Sequence, residues 1–209
     1  MNIVLYGATG KAGSRILNEL LSRGHQVKAV VRDPAKLPQR PGLAIAAGDL
    51  SDVDAITRAV KGADAVISAY APPMDAVEEL VAVTKRLADA VKAAAVPRLL
   101  VVGGAGSLEV APNVELIDTP SFPEAWKPIA FAHRGALQLL KSSDTTWTYL
   151  SPGAFFEPGE RTGKFRLGKD NLIADENGNS RISMEDYAIA LVDELEKPEH
   201  LCQRFSVGY

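Results

Sequence analysis

The chain has 209 residues, a formal net charge of −3 and a single cysteine, Cys202. One domain of this length buries about 70% of the surface its unfolded chain exposes and needs no disulfide or metal staple; Cys202 alone forms no intramolecular bridge, so a reducing cytoplasm is expected. Scattered Lys and Arg residues remove the driving force for nucleic-acid binding, and no apolar run nears the ~18 residues of a membrane span.

Met1 leads directly into an apolar strand, Ile3–Tyr6, rather than into a basic segment and a signal core. Gly7, Gly10 and Gly13 follow at three-residue intervals. Then Ile16, Leu17, Leu20 and Leu21 recur at helical spacing over Lys11–Ser22, and Gly24 ends the run. A strand, a glycine turn and a helix start form a cradle for an anion, because the first amides of a helix are free and its dipole favours negative charge. With a second strand at Val27–Val31, the pattern reads as a dinucleotide-binding turn.

The second strand ends in Arg32, nineteen residues after Gly13. An acidic residue at such a tip bonds a ribose 2′-hydroxyl, whereas an arginine pairs with a 2′-phosphate. NADP(H) is therefore expected, with Asp33 keeping NAD(H) open. A third strand, Ala44–Ala47, leads to Asp49 and Leu50, placed to touch an adenine. Ser51 or Asp52 suits the cap of the next helix, Val53–Val60.

Strand Ala65–Ser68 ends in Ser68, Ala69 and Tyr70, and strand Leu99–Val102 ends in Gly103, Gly104, Ala105, Gly106 and Ser107. The helix Val77–Ala94 lies between them. Both strand ends fall beside the expected switch point, where small residues leave room for a flat ring. Ser107 is either a substrate-bonding hydroxyl or a turn serine. A helix over Phe131–Lys141 carries His133 at its start, facing the same edge. After a strand at Thr148–Leu150 come Pro152, Gly153, Phe155 and Phe156. The two phenylalanines either wall an aromatic pocket or pack a cap core. A polar, Gly- and Asn-rich stretch, a helix at Met184–Leu195 and a strand at Arg204–Val207 complete the chain.

The expected fold is α/β, a doubly wound parallel sheet (Rossmann-like). It spans one domain, 1–209, with residues 151–182 as a substrate-side cap. No cluster has metal-ligand spacing. None of the five tyrosines has a lysine four residues later, so the Tyr–Lys acid of the common short-chain dehydrogenases is missing.

The segments YGATGKAGS, VVRDP, GDLSD, LSPGAF and RISMEDYA resemble the atypical short-chain dehydrogenase/reductases of the NAD(P)H-binding, NmrA-like group. Within it the likeness is to NADH-flavin reductases and biliverdin reductase B-like proteins, and it covers nearly the whole chain. The resemblance implies cofactor contacts from Gly7, Thr9, Gly10, Lys11, Ala12, Gly13, Arg32, Asp49, Leu50, Ser68, Ala69 and Tyr70. It places Pro152 and Gly153 near the nicotinamide, and His133 matches a histidine at the substrate mouth. Ala154 stands where flavin-reducing relatives carry a second histidine. The implied activity is NAD(P)H-dependent reduction of FMN, FAD or a similar planar acceptor by a monomer or weak homodimer. Hydride passing between stacked rings needs no strong general acid. Two other functions fit the same residues. One is a non-catalytic nucleotide sensor that binds a protein partner. The other is a reductase or epimerase of a small metabolite, with His133 or Ser107 handling protons.

Overall fold

A computed structural model describes all 209 residues. Strands and helices alternate as β1 (Asn2–Tyr6), α1 (Lys11–Ser22), β2 (Gln26–Val31), β3 (Leu43–Ala47), α2 (Val53–Val60), β4 (Ala65–Ser68), α3 (Glu79–Ala93) and β5 (Leu99–Val102). A hairpin of β6 (Glu109–Ala111) and β7 (Val114–Glu115) precedes α4 (Lys127–Lys141) and β8 (Trp147–Pro152). Then follow β9 (Phe155–Glu157), β10 (Arg166–Gly168), β11 (Arg181–Ser183), α5 (Met184–Glu196) and β12 (Gln203–Gly208).

The main sheet runs β10-β12-β8-β5-β4-β1-β2-β3, and every pair in it is parallel except β10 with β12. Strand order reverses at β1, so a crevice opens at the carboxyl ends of β1 and β4. Both faces are covered, which is why the central strands are apolar throughout rather than alternating. Residues of α1 and α5 pack one face with Leu5, Ile67 and Leu150. The other face holds Val4, Tyr6 and Val66 against α2, α3 and α4.

Helix α1 shows how sequence sets these elements. Its stripe of Ile16, Leu17 and Leu20 is buried, each side chain contributing about 1.5–3 kcal/mol. The helix stops at Gly24, whose φ of +79° is the left-handed conformation that glycine adopts without penalty. The Gly24 and His25 amides return to the Leu21 and Leu20 carbonyls, both at 3.1 Å, closing a Schellman motif.

Two helix starts shift. Helix α4 starts at Lys127, four residues before Phe131, because Pro128 fits a first turn, where no amide is needed. Helix α3 starts at Glu79 rather than Val77. Within 151–182, β10 extends the main sheet as its edge strand, while β9 and β11 form a separate parallel pair.

The irregular segment between β9 and β10 is tied down by two acids of α5. Buried Asp186 accepts from the Thr162 and Gly163 amides, both at 2.8 Å, and from the Thr162 and Tyr209 hydroxyls at 2.5 and 2.8 Å. Burial works against its charge, but the hydrogen bonds from Thr162, Gly163 and Tyr209 outweigh it and lower the pKa. Its neighbour Glu185 accepts from the Gly159 amide at 2.7 Å and from Arg15 of α1 at 2.9 Å. No helix is long and apolar enough to cross a membrane, and Cys202 is exposed.

Candidate functional site

A cleft of about 410 Å³ opens at the carboxyl ends of β1, β2, β3 and β4, walled on one side by α3. Gly7, Thr9 and Gly10 line it at the turn after β1. The three glycines of that turn have different jobs. Gly7 sits at φ +82°, and a Cβ there would lie 2.2 Å from the Ala69 carbonyl oxygen. A Cβ on Gly13 would fall 2.0 Å from the Gly7 oxygen, so this glycine lets α1 press against the turn. At Gly10 a Cβ would meet only the Gly7 oxygen, at 3.2 Å. Gly7 and Gly13 therefore serve the fold, and Gly10 leaves room in the cleft.

Helix α1 has no side-chain N-cap. The amides of Lys11, Ala12 and Gly13 find no acceptor within the protein, although none of the three residues is part of the cleft lining itself. Free first-turn amides behind a glycine turn are the donor set a pyrophosphate requires.

Arg32 stands exposed on the rim, where its guanidinium makes no hydrogen bond or ion pair. Asp33, in contrast, turns its carboxylate onto the Ala35 amide at 3.1 Å and caps a short 3-10 turn. Asp49 and Leu50 lie opposite. Asp49 accepts from the Ser51 hydroxyl and amide at 2.6 and 2.9 Å, and these bonds lower its pKa, helped by the nearby Arg32 and Arg86. Asp52 supplies the cap of α2, accepting from the Asp54 amide at 3.0 Å.

From β4, Ala69 and Tyr70 reach the cleft, whereas Ser68 is buried within the strand. Further residues line it, among them four that work from the helix side or the end of β1: Tyr6, Glu79, Val83 and Arg86. Arg86 donates from Nε to the Leu50 carbonyl at 2.6 Å and from Nη2 to Glu79 at 3.1 Å, tying α3 to the loop after β3. Nothing local in the sequence marks these four, because a helix and two strand ends meet there only in the fold.

The remaining candidates lie farther along the carboxyl edge. Gly103 donates its amide to the Leu150 carbonyl at 2.8 Å. A Cβ on it would come within 2.3 Å of the Tyr149 ring, so its smallness serves packing. Pro152 and Gly153 are buried at the end of β8, and a Cβ on Gly153 would lie 2.8–2.9 Å from the Arg181 backbone. Phe156 packs on the core and against Tyr187, ring centroids 4.7 Å apart, while Phe155 is 65% exposed. Phe156 thus packs the core, and Phe155 stands outside it.

His133 lies in the second turn of α4, not at its start, with its ring against Gly104. Its Nδ1 is 3.1 Å from the Tyr149 hydroxyl, which donates to the His133 carbonyl, also at 3.1 Å. Burial pushes the imidazole pKa down to about 4. Ser107 is buried with its hydroxyl accepting from Arg204 Nη1 at 2.8 Å, and Arg204 pairs in turn with Asp170. That hydroxyl holds an internal arginine instead of facing the cleft.

A doubly wound sheet with a glycine turn at its switch point defines a Rossmann-type nucleotide-binding protein. The NAD(P)H-binding family model matches residues 7–198. The chain belongs to this family, as an atypical short-chain dehydrogenase/reductase-like member among its NAD(P)-binding oxidoreductases. The uncharacterized protein YwnB of Bacillus subtilis is 44% identical, over 99% of this chain and 98% of its own. The solved structure of a candidate epimerase from Bacteroides thetaiotaomicron is 46% identical with a TM-score of 0.93, covering 100% of this chain and 96% of that one. A candidate NADH-flavin reductase from Streptococcus pneumoniae is 37% identical with a TM-score of 0.90, covering 100% and 99%.

Proposed function

We propose that the protein is an NADPH-dependent reductase that passes hydride to a flavin or similar planar acceptor. The observation that carries the cofactor choice is the pair at the end of β2. Arg32 is free on the rim while Asp33 is consumed by its own turn. A free guanidinium favours a 2′-phosphate, whereas the Asp33 carboxylate is turned onto the Ala35 amide rather than presented to a 2′-hydroxyl. The likeness to the S. pneumoniae protein supports a flavin as acceptor.

In this reading the amides of Lys11, Ala12 and Gly13 hold the pyrophosphate, Arg32 the 2′-phosphate, and Asp49 and Leu50 the adenine. When bound, the dihydronicotinamide supplies the hydride equivalent. Pro152, paired with β12, and Gly153, set against β11, provide a rigid wall for the ring, and the exposed Phe155 offers an aromatic face to an acceptor. His133 is neutral at pH 7, given its lowered pKa. With the Tyr149 proton on the His133 carbonyl, Nδ1 carries the imidazole hydrogen and Nε2 is left as an acceptor. Such a ring orients a donor group and delivers no proton. Tyr149 is no substitute, because burial raises its phenol far above the physiological range.

Replacing His133 by Ala should therefore slow FMN reduction by less than about tenfold, since an essential general acid is worth about 10²–10⁴. Single-turnover oxidation of NADPH at saturating FMN measures this. A thousandfold loss with nucleotide binding intact would make His133 the acid and move the chemistry toward carbonyl reduction. NADPH binding without oxidation, whatever acceptor is added, would favour the sensor.

The same histidine sets a pH dependence of stability. Unfolded, it takes a proton near 6.5; folded, only near 4. Between those values the unfolded state binds more protons, so stability falls as pH falls, by about 3 kcal/mol at most for this group. Urea unfolding at pH 7.5 and 4.5 should show a smaller acid loss for His133→Phe than for the parent protein. Equal losses would contradict the assignment.

A further inference from the structure

Tyr6 is the last residue of β1, and strand alternation turns its side chain to the α2–α3 face, into one apolar cluster with Val30, Val66, Val83 and Leu87. It is 2% exposed, and it borders the cleft together with Val30 and Val83. Its hydroxyl has no hydrogen-bond partner. The fully buried Tyr149 and Tyr187 differ, since their hydroxyls donate to the carbonyls of His133 and Leu150. Only two other buried side-chain atoms lack partners, Arg98 Nε and Ser151 Oγ, and neither residue lines the cleft.

A buried hydroxyl without a partner destabilises the fold, and phenylalanine would fill the same space at no such cost. Natural interiors leave few polar groups in this state, and one that borders a binding cleft has a natural partner in the ligand. We propose that the Tyr6 hydroxyl is the buried hydrogen-bond partner of the cofactor's adenine, donating to a ring nitrogen.

The base is selected over the sugar and phosphates by what surrounds Tyr6. Val30, Val31, Leu50 and Val83 give the cleft apolar walls, whereas Arg32 and the free amides of α1 stand at its rim and turn. Adenine is the flat, weakly polar part of the dinucleotide, and its ring nitrogens are unprotonated acceptors. Burial pushes the phenol up to about 12, so it remains a donor through neutral pH. The hydroxyl is closed off from water, so the base reaches it only as the cleft walls part, and the bond then forms with no competing solvent. This inference rests on the cleft being the dinucleotide site.

The test is titration of NADPH, 2′,5′-ADP and reduced nicotinamide mononucleotide into the parent protein and Tyr6→Phe, with ligand-free melting of both. The expected result is that NADPH and 2′,5′-ADP weaken together by roughly five- to twentyfold, in line with one buried hydrogen bond. The mononucleotide should be unaffected, and the ligand-free variant should melt at the same temperature or slightly higher. Unchanged affinity for 2′,5′-ADP, while the parent binds it, overturns the role of Tyr6 and leaves the cleft reading standing. A lower melting temperature with all three ligands weakened alike also overturns it, by showing a packing role. Failure of the parent to bind NADPH or 2′,5′-ADP refutes the cleft reading, and the inference with it.

Discussion

Gly10→Leu should abolish NADPH binding, a loss of a hundredfold or more, while the protein still folds. A Cβ at position 10 meets only the Gly7 oxygen at 3.2 Å, and Gly10 has a φ of −78°, which any residue tolerates. The rest of a leucine side chain then fills the space where the backbone must approach a pyrophosphate. Gly13→Ala makes the control, because its methyl would lie 2.0 Å from the Gly7 oxygen and disrupt the seating of α1 on the turn. Calorimetric titration with circular dichroism separates the two: Gly10→Leu keeps its spectrum and loses its ligand, and Gly13→Ala loses both. Wild-type affinity in Gly10→Leu would refute the turn as the phosphate site.

Arg32→Ala should weaken NADPH by about 10- to 100-fold and change NADH by less than about threefold. A charged hydrogen-bonded pair with a phosphate is worth about 1.5–3 kcal/mol, and the exposed position of Arg32 places the effect toward the lower half of that range. The guanidinium makes no hydrogen bond or ion pair within the protein, so removing it leaves no buried partner and only weakens its attraction to nearby Asp49. Dissociation constants for both cofactors, in parent and variant at one ionic strength, decide the matter. Equal affinities in the parent would contradict the 2′-phosphate role.

The parts legible in the sequence are those where one local pattern decides the structure. Helix α1 runs Lys11–Ser22 as its stripe and Gly24 indicate, and Ala65–Ser68 and Leu99–Val102 match β4 and β5 to the residue. The β6–β7 hairpin escapes because three- and two-residue strands carry no periodicity. β10 falls in a stretch that reads only as loops and small strands, because its pairing with β12 comes from residues about forty positions away. The candidate site divides in the same way. The turn, Arg32, Asp49 and Leu50 follow strand ends and can be read in order, whereas Arg86 acts from the middle of α3. Tyr6 was hidden by its company, since a tyrosine closing an apolar strand reads as core until its hydroxyl is seen to lack a partner. Ser107 was legible as a substrate-bonding hydroxyl or a turn serine, and its bond to Arg204, which spans 97 positions of chain, was not.

Asp186 gives the segment around Thr162 and Gly163 an unusual kind of order. These residues form no ladder of their own, yet their two amides, the Thr162 hydroxyl and the Tyr209 hydroxyl all end on one carboxylate. A regular strand loses its partners one at a time and frays from its ends. Here four bonds share a single point, beside the separate ties of Gly159 to Glu185 and Arg161 to Glu19, so those four are lost together when that carboxylate is lost. One side chain's charge thereby carries a large share of the order of an irregular loop. Evolution could soften or stiffen this part of the molecule by changing one residue of α5, without touching the loop itself.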